Sequence, residues 1–193
     1  MPQIARESLL PLEVYAKQRN DFRARVIAHK NQRCVHLGEH LTLVFEDEFT
    51  IRYQIQEMLR IERIFGEDGI RGELEAYNPL VPDGSNWKAT MLLEYPDVAE
   101  RHRRLAELKG IEDGVWVQVE GCERVFAIAD EDLDRENEQK TSSVHFLRFE
   151  LTAEMRSALK YGVGLTVGVD HPNYRASTDV APDIRASLAC DLA

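Results

Sequence analysis

The sequence is short of the patterns that announce a mechanism. It contains no GxGxxG, P-loop, GxSxG, HExxH or calcium-loop motif. Dinucleotide, nucleoside-triphosphate, serine-hydrolase, zincin and EF-hand chemistry therefore have no local signature. Cysteine is scarce too: Cys34, Cys122 and Cys190 are odd in number, widely separated and without a CxxC pair. Such a set argues against a disulfide framework, a zinc knuckle and a thioredoxin-type site, and a reducing cytoplasm is the expected compartment. Apolar runs such as residues 125–129 and 91–93 fall far below the roughly 20 residues of a membrane span. Near the N-terminus only Leu9-Leu10 interrupts the polar residues before charge resumes, so no signal-peptide core is expected.

What is present is ordinary for a globular protein. Of 193 residues, 44% are hydrophobic and 30% charged, a composition that supports a core without disulfides or a structural metal. The length fits a single domain over 1–193, with N-terminal helices and a hairpin in 1–85 and an α+β core in 86–193. The net charge is −10, unevenly spread: residues 1–33 hold seven bases and three acids, a balance of +4, which leaves −14 on the remainder. Net acidity disfavours nonspecific contact with nucleic acid or an anionic membrane, because phosphate attraction needs a basic face. The basic head could instead meet the acidic body, a second copy in a homo-oligomer, or an anionic partner.

Periodicity places the elements. Residues 8–30 read as helical, with Pro11 near a helix start. A hairpin follows, in which a three-residue loop, Gly38-Glu39-His40, sets Leu37 against Leu41 and Val35 against Leu43, gathering the large aliphatics on one face. Thr50 is read as the cap of a helix running to Phe65, with Ile51, Ile55, Met58 and Phe65 on its apolar side, Gln56 on its polar side, and Glu62 interrupting the stripe. A helix over 67–77 ends before Asn78-Pro79. Residues 87–95 read as a strand, and Asp97 with Glu100 open a helix that Gly110 closes. A hairpin over 115–128 turns at Gly121-Cys122. Residues 130–138, with six acids, read as a solvated loop. Residues 144–151 form a strand, Thr152 caps a helix ending at Gly162, residues 163–169 form another strand, and Pro182 starts a closing helix. The expected class is α+β, a mainly antiparallel sheet with helices packed on it. The order from residue 87 onward is close to a ferredoxin-like βαββαβ core carrying an N-terminal helix and hairpin.

Candidate chemistry is local and weakly marked. Asp170-His171-Pro172-Asn173-Tyr174 ends a strand, and an Asp–His pair can hold an imidazole tautomer for proton transfer or metal ligation. The stronger reading is a turn in which Asp170 and Asn173 bond their own backbone. Cys34, His36 and His40 lie within seven residues, yet two strand ligands fall short of the three or four that zinc takes. A metal there needs Glu46, Glu57 or His171 from elsewhere, and a polar strand face is the plainer reading. Glu57 and Glu62 could serve as a general acid or as carboxylate ligands of a di-iron-like cluster, but neither is followed by an ExxH partner. A structural ion pair, for Glu62 with an arginine such as Arg23, is the stronger alternative. Arg19, Arg23 and Arg25, continued by Lys30 and Arg33, could bind phosphate, but their spacing mixes helix faces and a solvated face is the default.

Several phrases together carry a family resemblance: residues 23–27 (RARVI), Leu37-Gly38, Phe45-Glu46, residues 54–60 (QIQEMLR), Tyr77-Asn78 and residues 170–174 (DHPNY). From about Arg6 to Leu192 the chain resembles a bacterial family catalogued as domain of unknown function 3501. The resemblance assigns no chemistry. It implies a setting beside rubrerythrin-like and iron–sulfur oxidoreductase proteins, and hence redox or oxidative-stress physiology. The chain itself lacks the four-cysteine and ExxH patterns of an iron carrier. Two readings follow. One is a non-catalytic accessory or binding protein serving such partners. The other is a small metal-dependent enzyme or hydrolase using an Asp–His pair, with His171, Asp170, Glu57, Glu62 or His36 converging on one pocket.

Overall fold

Alternating strands and capped helices assemble into six α-helices and two antiparallel sheets in the computed structural model, which describes residues 4–131 and 140–193. The acidic stretch over 132–139 lies outside the described residues. The five-stranded sheet is ordered β1-β2-β3-β7-β6 and the four-stranded sheet β5-β4-β8-β9. The strands of the first are β1 (Cys34–Leu37), β2 (Leu41–Glu46), β3 (Asn86–Leu93), β6 (Ile128–Ala129) and β7 (Val144–Glu150); those of the second are β4 (Val115–Val119), β5 (Val125–Phe126), β8 (Leu165–His171) and β9 (Tyr174–Asp179).

The β1–β2 hairpin has the register its aliphatics dictate, with Leu37 opposite Leu41 and Val35 opposite Leu43. Gly38 is required there twice over. Its φ is +70°, which L side chains rarely adopt, and a Cβ would stand 2.7 Å from the Tyr174 hydroxyl. That hydroxyl donates to the Leu37 carbonyl at 2.6 Å and so ties β9 to the hairpin.

The α+β class with antiparallel sheet is what forms, but the single ferredoxin-like sheet does not. β3 and β7 pair in one sheet, while β4, β5, β8 and β9 make the other. The segment 125–129 divides between them: Val125 and Phe126 pair with β4, whereas Ile128 and Ala129 pair with β7. The polar strand β9 (YRASTD), to which the sequence pattern assigns no element, extends the second sheet by pairing along β8. One face of each sheet meets the other in a shared core that includes Leu43, Phe45, Trp87, Met91, Val117, Phe149, Val167 and Val169.

Helices α1 (Leu12–Asn31), α2 (Glu48–Ile61) and α3 (Glu67–Tyr77) pack with a second cluster of Ile51, Ile55, Leu59, Ile70 and Val81. The cap of α2 is Asp47 rather than Thr50. Asp47 accepts the Thr50 N–H and Thr50 Oγ1 accepts the Asp47 N–H, a reciprocal box that starts the helix at Glu48. The helix stops at Ile61, four residues before the expected end, where Glu62 caps it and Arg63 takes φ +56°. Phe65 is consequently exposed rather than on an apolar stripe. Gln56, expected on the polar side, is buried and pins the N-terminal segment by bonding both the N–H and the carbonyl of Leu10. Helices α4 (Val98–Glu107), α5 (Ala153–Lys160) and α6 (Pro182–Ala189) complete the fold, with Asp97 and Thr152 capping the first two and Pro182 opening the third. Among the described residues no helix is long and apolar enough to cross a membrane.

Candidate ligand pocket and buried histidine cluster

The sequence candidates are held apart. On β8, Asp170 and His171 point to opposite faces, as neighbours on a strand must. Asp170 is exposed and receives Arg124 at 2.6 Å, while Arg124 stacks over Trp116. His171 is buried. Its Nε2 donates to the Lys109 carbonyl at 3.0 Å and its Nδ1 accepts the Asn173 N–H at 3.2 Å, so one ring nitrogen is spent on the turn and the other on the chain just after α4. Glu57 sits between α1 and α2, gripped by Arg19 through two bonds of 2.8 Å, by Arg60, and by the Tyr15 hydroxyl at 2.5 Å. Arg19 above all holds its carboxyl down at about 2, the opposite of what a general acid needs. Glu62 is exposed at the helix end, facing Glu73 and Tyr77, and makes no ion pair with Arg23.

Cys34 and His36 do share a strand face, with Sγ and Nε2 3.7 Å apart, and His36 continues to Thr42 at 3.1 Å. His40 stacks instead on Tyr95 and bonds the Glu94 carbonyl. The basic run is equally divided. Arg19 is locked on Glu57, Arg23 and Arg25 are exposed with Arg25 over the Phe49 ring, and Lys30 faces Glu46. Arg33 is no part of a solvated face. It is 1% exposed and joins the Phe45 carbonyl, Ser187 and Asp191.

Two constellations emerge that the sequence did not assemble. The first lies on the face of the five-stranded sheet turned away from the shared core. Register places Val44, Thr90 and Phe146 in one row across β2, β3 and β7, and Glu46, Lys88 and Arg148 in the next. Over this floor the end of α1, α2, α3 and the short turn 78–80 form a roof, enclosing a cavity of about 280 Å³. Its walls are mostly apolar (Val44, Ile51, Leu80, Leu92, Val144, Phe146), with polar groups from Lys30, Glu46, Gln54, Tyr77 and Thr90. A second hollow of about 250 Å³, beside Lys88, Ile128 and Arg148, shares Leu80 and Phe146 with the first, so the two adjoin.

Glu46 is the unusual member. Its side chain is 8% exposed; Oε1 accepts the Thr90 hydroxyl at 2.7 Å and stands 3.6 Å from Lys30 Nζ. Its Oε2 is buried without a hydrogen-bond partner. Most buried polar atoms are paired, and leaving one unpaired costs about 1–3 kcal/mol. Burial also raises Tyr77 above the ordinary phenol range and lowers Lys88 below the ordinary amine range. Tyr77 therefore enters the pocket as a neutral hydroxyl.

The second constellation is on the core side of the same sheet. His145 of β7 is fully buried, its Nδ1 2.5 Å from Asp130 Oδ2. Around Nε2 lie Thr141 Oγ1 at 2.9 Å, the Ser142 carbonyl at 3.1 Å and Glu112 Oε2 at 3.8 Å. Asp130 is set by β7 itself: its Oδ1 accepts the Phe146 N–H, and its own N–H donates to the Phe146 carbonyl. This Asp–His pair thus joins residues that are not neighbours in sequence. The available signal was the pattern of β7, in which Val144, Phe146 and His145, Leu147, Phe149 make both faces largely apolar, the mark of a strand covered on both sides.

The chain is therefore an α+β protein of two antiparallel sheets, with a polar-headed pocket on one side of β7 and a buried histidine cluster on the other. It belongs to the family described as "Protein of unknown function (DUF3501)", which matches residues 3–192. A crystal structure from Burkholderia pseudomallei, described as a novel protein of unknown function, is 56% identical with a TM-score of 0.95, covering 100% of both chains. No curated protein matches.

Proposed function

We propose that this is a non-catalytic binding protein whose ligand is a small molecule with an apolar body and a hydrogen-bond-donating head. The unpartnered, buried Oε2 of Glu46 carries the reading. A carboxylate oxygen facing an apolar cavity calls for a donor, and a ligand ammonium, amide or hydroxyl supplies one. Thr90 and Lys30 hold the carboxylate from its other oxygen, so it is fixed before the ligand arrives, which lowers the ordering cost of binding. The apolar walls take the ligand's chain, and the adjoining hollow beside Lys88 and Arg148 gives room for a longer one. The redox setting that the resemblance implies belongs to the same proposal: an accessory protein to rubrerythrin-like or iron–sulfur oxidoreductases would bind such a ligand.

The test is calorimetric titration and thermal unfolding with n-hexylamine, n-hexanol and hexanoate. Hexylamine and hexanol should bind one to one, and hexanoate, which sets oxygen against oxygen, at least tenfold more weakly. At a hundredfold excess over Kd the ligand adds about 2.7 kcal/mol of stability. Glu46→Gln should remove the preference for the amine. Equal binding of hexanoate, or no saturable binding of any probe, overturns the proposal.

A further inference from the structure

We propose that Glu112, His145, Thr141 and the Ser142 carbonyl form a binding site for one divalent first-row metal ion, with Asp130 positioning the imidazole. The argument begins with proton bookkeeping at the ring. The 2.5 Å contact from Nδ1 to Asp130 Oδ2 makes Nδ1 the donor, because a carboxylate oxygen accepts. Metal-ligating histidines are held this way, with the second ring nitrogen on a carboxylate that fixes the tautomer and strengthens the ligand. Nε2 is then the free end, and what gathers round it is oxygen: a hydroxyl, a carbonyl and a carboxylate, at 2.9, 3.1 and 3.8 Å. The Thr141 hydroxyl can donate to Nε2 at 2.9 Å, but the Ser142 carbonyl and the Glu112 carboxylate on the same side are acceptors only, and a cation in their midst would satisfy all three oxygens and the ring nitrogen together.

The spacings suit such a centre. Around an ion about 2.1 Å from each ligand, neighbouring ligand atoms stand about 3.0–3.4 Å apart in octahedral or tetrahedral arrangement. The three contacts to Nε2 and the 3.5 Å separation of Thr141 Oγ1 from Glu112 Oε2 straddle that range. Glu112 Oε2 needs to move inward by only a few tenths of an ångström. One nitrogen among oxygens suits Mn²⁺, Fe²⁺ or Zn²⁺ rather than thiolate-seeking ions. The site is built from the fold's interior: Glu112, Thr141 and His145 are each no more than 5% exposed. Glu112 and Asp130 have contacts beyond these; the inference rests on the arrangement around Nε2. A proton on Nε2 is the competing occupant.

The experiment uses full-length protein stripped with chelator and titrated separately with Mn²⁺ and Zn²⁺. One equivalent should bind with a Kd below about 10 μM, and binding should release protons as the ligands deprotonate. His145→Gln and Glu112→Gln should each abolish it, and Asp130→Asn should weaken it 10- to 100-fold, as loss of an orienting carboxylate does. Because these buried substitutions disturb folding, a wild-type readout accompanies them. The Mn²⁺-loaded protein should show nitrogen coupling from a directly bound imidazole by pulsed electron paramagnetic resonance. Absence of that coupling, absence of saturable binding, or binding unchanged in a folded His145→Gln variant each overturns the proposal and leaves the proton as the occupant.

Discussion

Along β7 the side chains alternate between two environments only a strand's thickness apart. His145, Leu147 and Phe149 enter the shared core between the sheets, whereas Val144, Phe146 and Arg148 face the cavity beneath α1, α2 and α3. The core face is closed by a second sheet, and its one histidine has oxygen on every side. The cavity face is roofed by helices that meet the floor incompletely, and there a carboxylate oxygen is left unpartnered. The contrast teaches where stability and binding are separated in this fold. A fully packed face contributes folding energy, while a face closed by helices alone retains space and an unsatisfied group, features that binding sites keep at a cost in stability.

Substitutions on the two faces sharpen that contrast. Phe149→Ala, on the core face, should lose about 3–5 kcal/mol in denaturant unfolding, because the cavity it leaves is lined on all sides. Next in size is Glu57→Gln, in the roof. Its carboxyl is held chiefly by Arg19 at about 2, below the ordinary glutamate value of 4.5, so its contribution is full above pH 4.5 and fades as pH falls toward 2. Arg19 and Arg60 are 30% and 37% exposed, and solvent screening limits the loss at neutral pH to about 1–2 kcal/mol. Urea midpoints measured against pH should show wild type and variant converging in acid. Phe146→Ala, on the cavity floor and three residues from the core phenylalanine, should cost only about 1 kcal/mol, because part of its surface already borders open space. A loss comparable to that of Phe149→Ala would break the comparison. The smallest effect has the opposite sign: Glu46→Gln should leave the melting temperature unchanged or raise stability by up to about 1 kcal/mol, since it removes the charge beside an unpaired buried oxygen. A clear destabilisation would mark Glu46 as a structural residue.

Local rules carried much of the fold. The Gly38 hairpin register, the caps at Asp97 and Thr152, the 67–77 helix and Pro182 at a helix start all follow from short-range pattern, and all are present. Long-range pairing was not legible. Nothing local says that residues 125–129 change sheets, nor that the polar run 174–179 is a strand. The sites failed in the same way. Asp170 and His171 are adjacent in sequence and therefore opposed in a strand, while Asp130 and His145 meet only because Asp130 pairs with the β7 backbone. Glu46 was visible as a helper for a metal at Cys34 and His36; its place over a cavity depends on the helices that cross above it.

The central claim is that Glu46 Oε2 awaits a donor on a ligand, and a crystal structure of the protein soaked with n-hexylamine tests it most directly. The account predicts the ammonium within about 3 Å of Glu46 Oε2, with the alkyl chain lying against Val44, Leu92 and Phe146. An amine absent from the cavity, with Oε2 bonded to an ordered water or to a shifted Lys30, would contradict it.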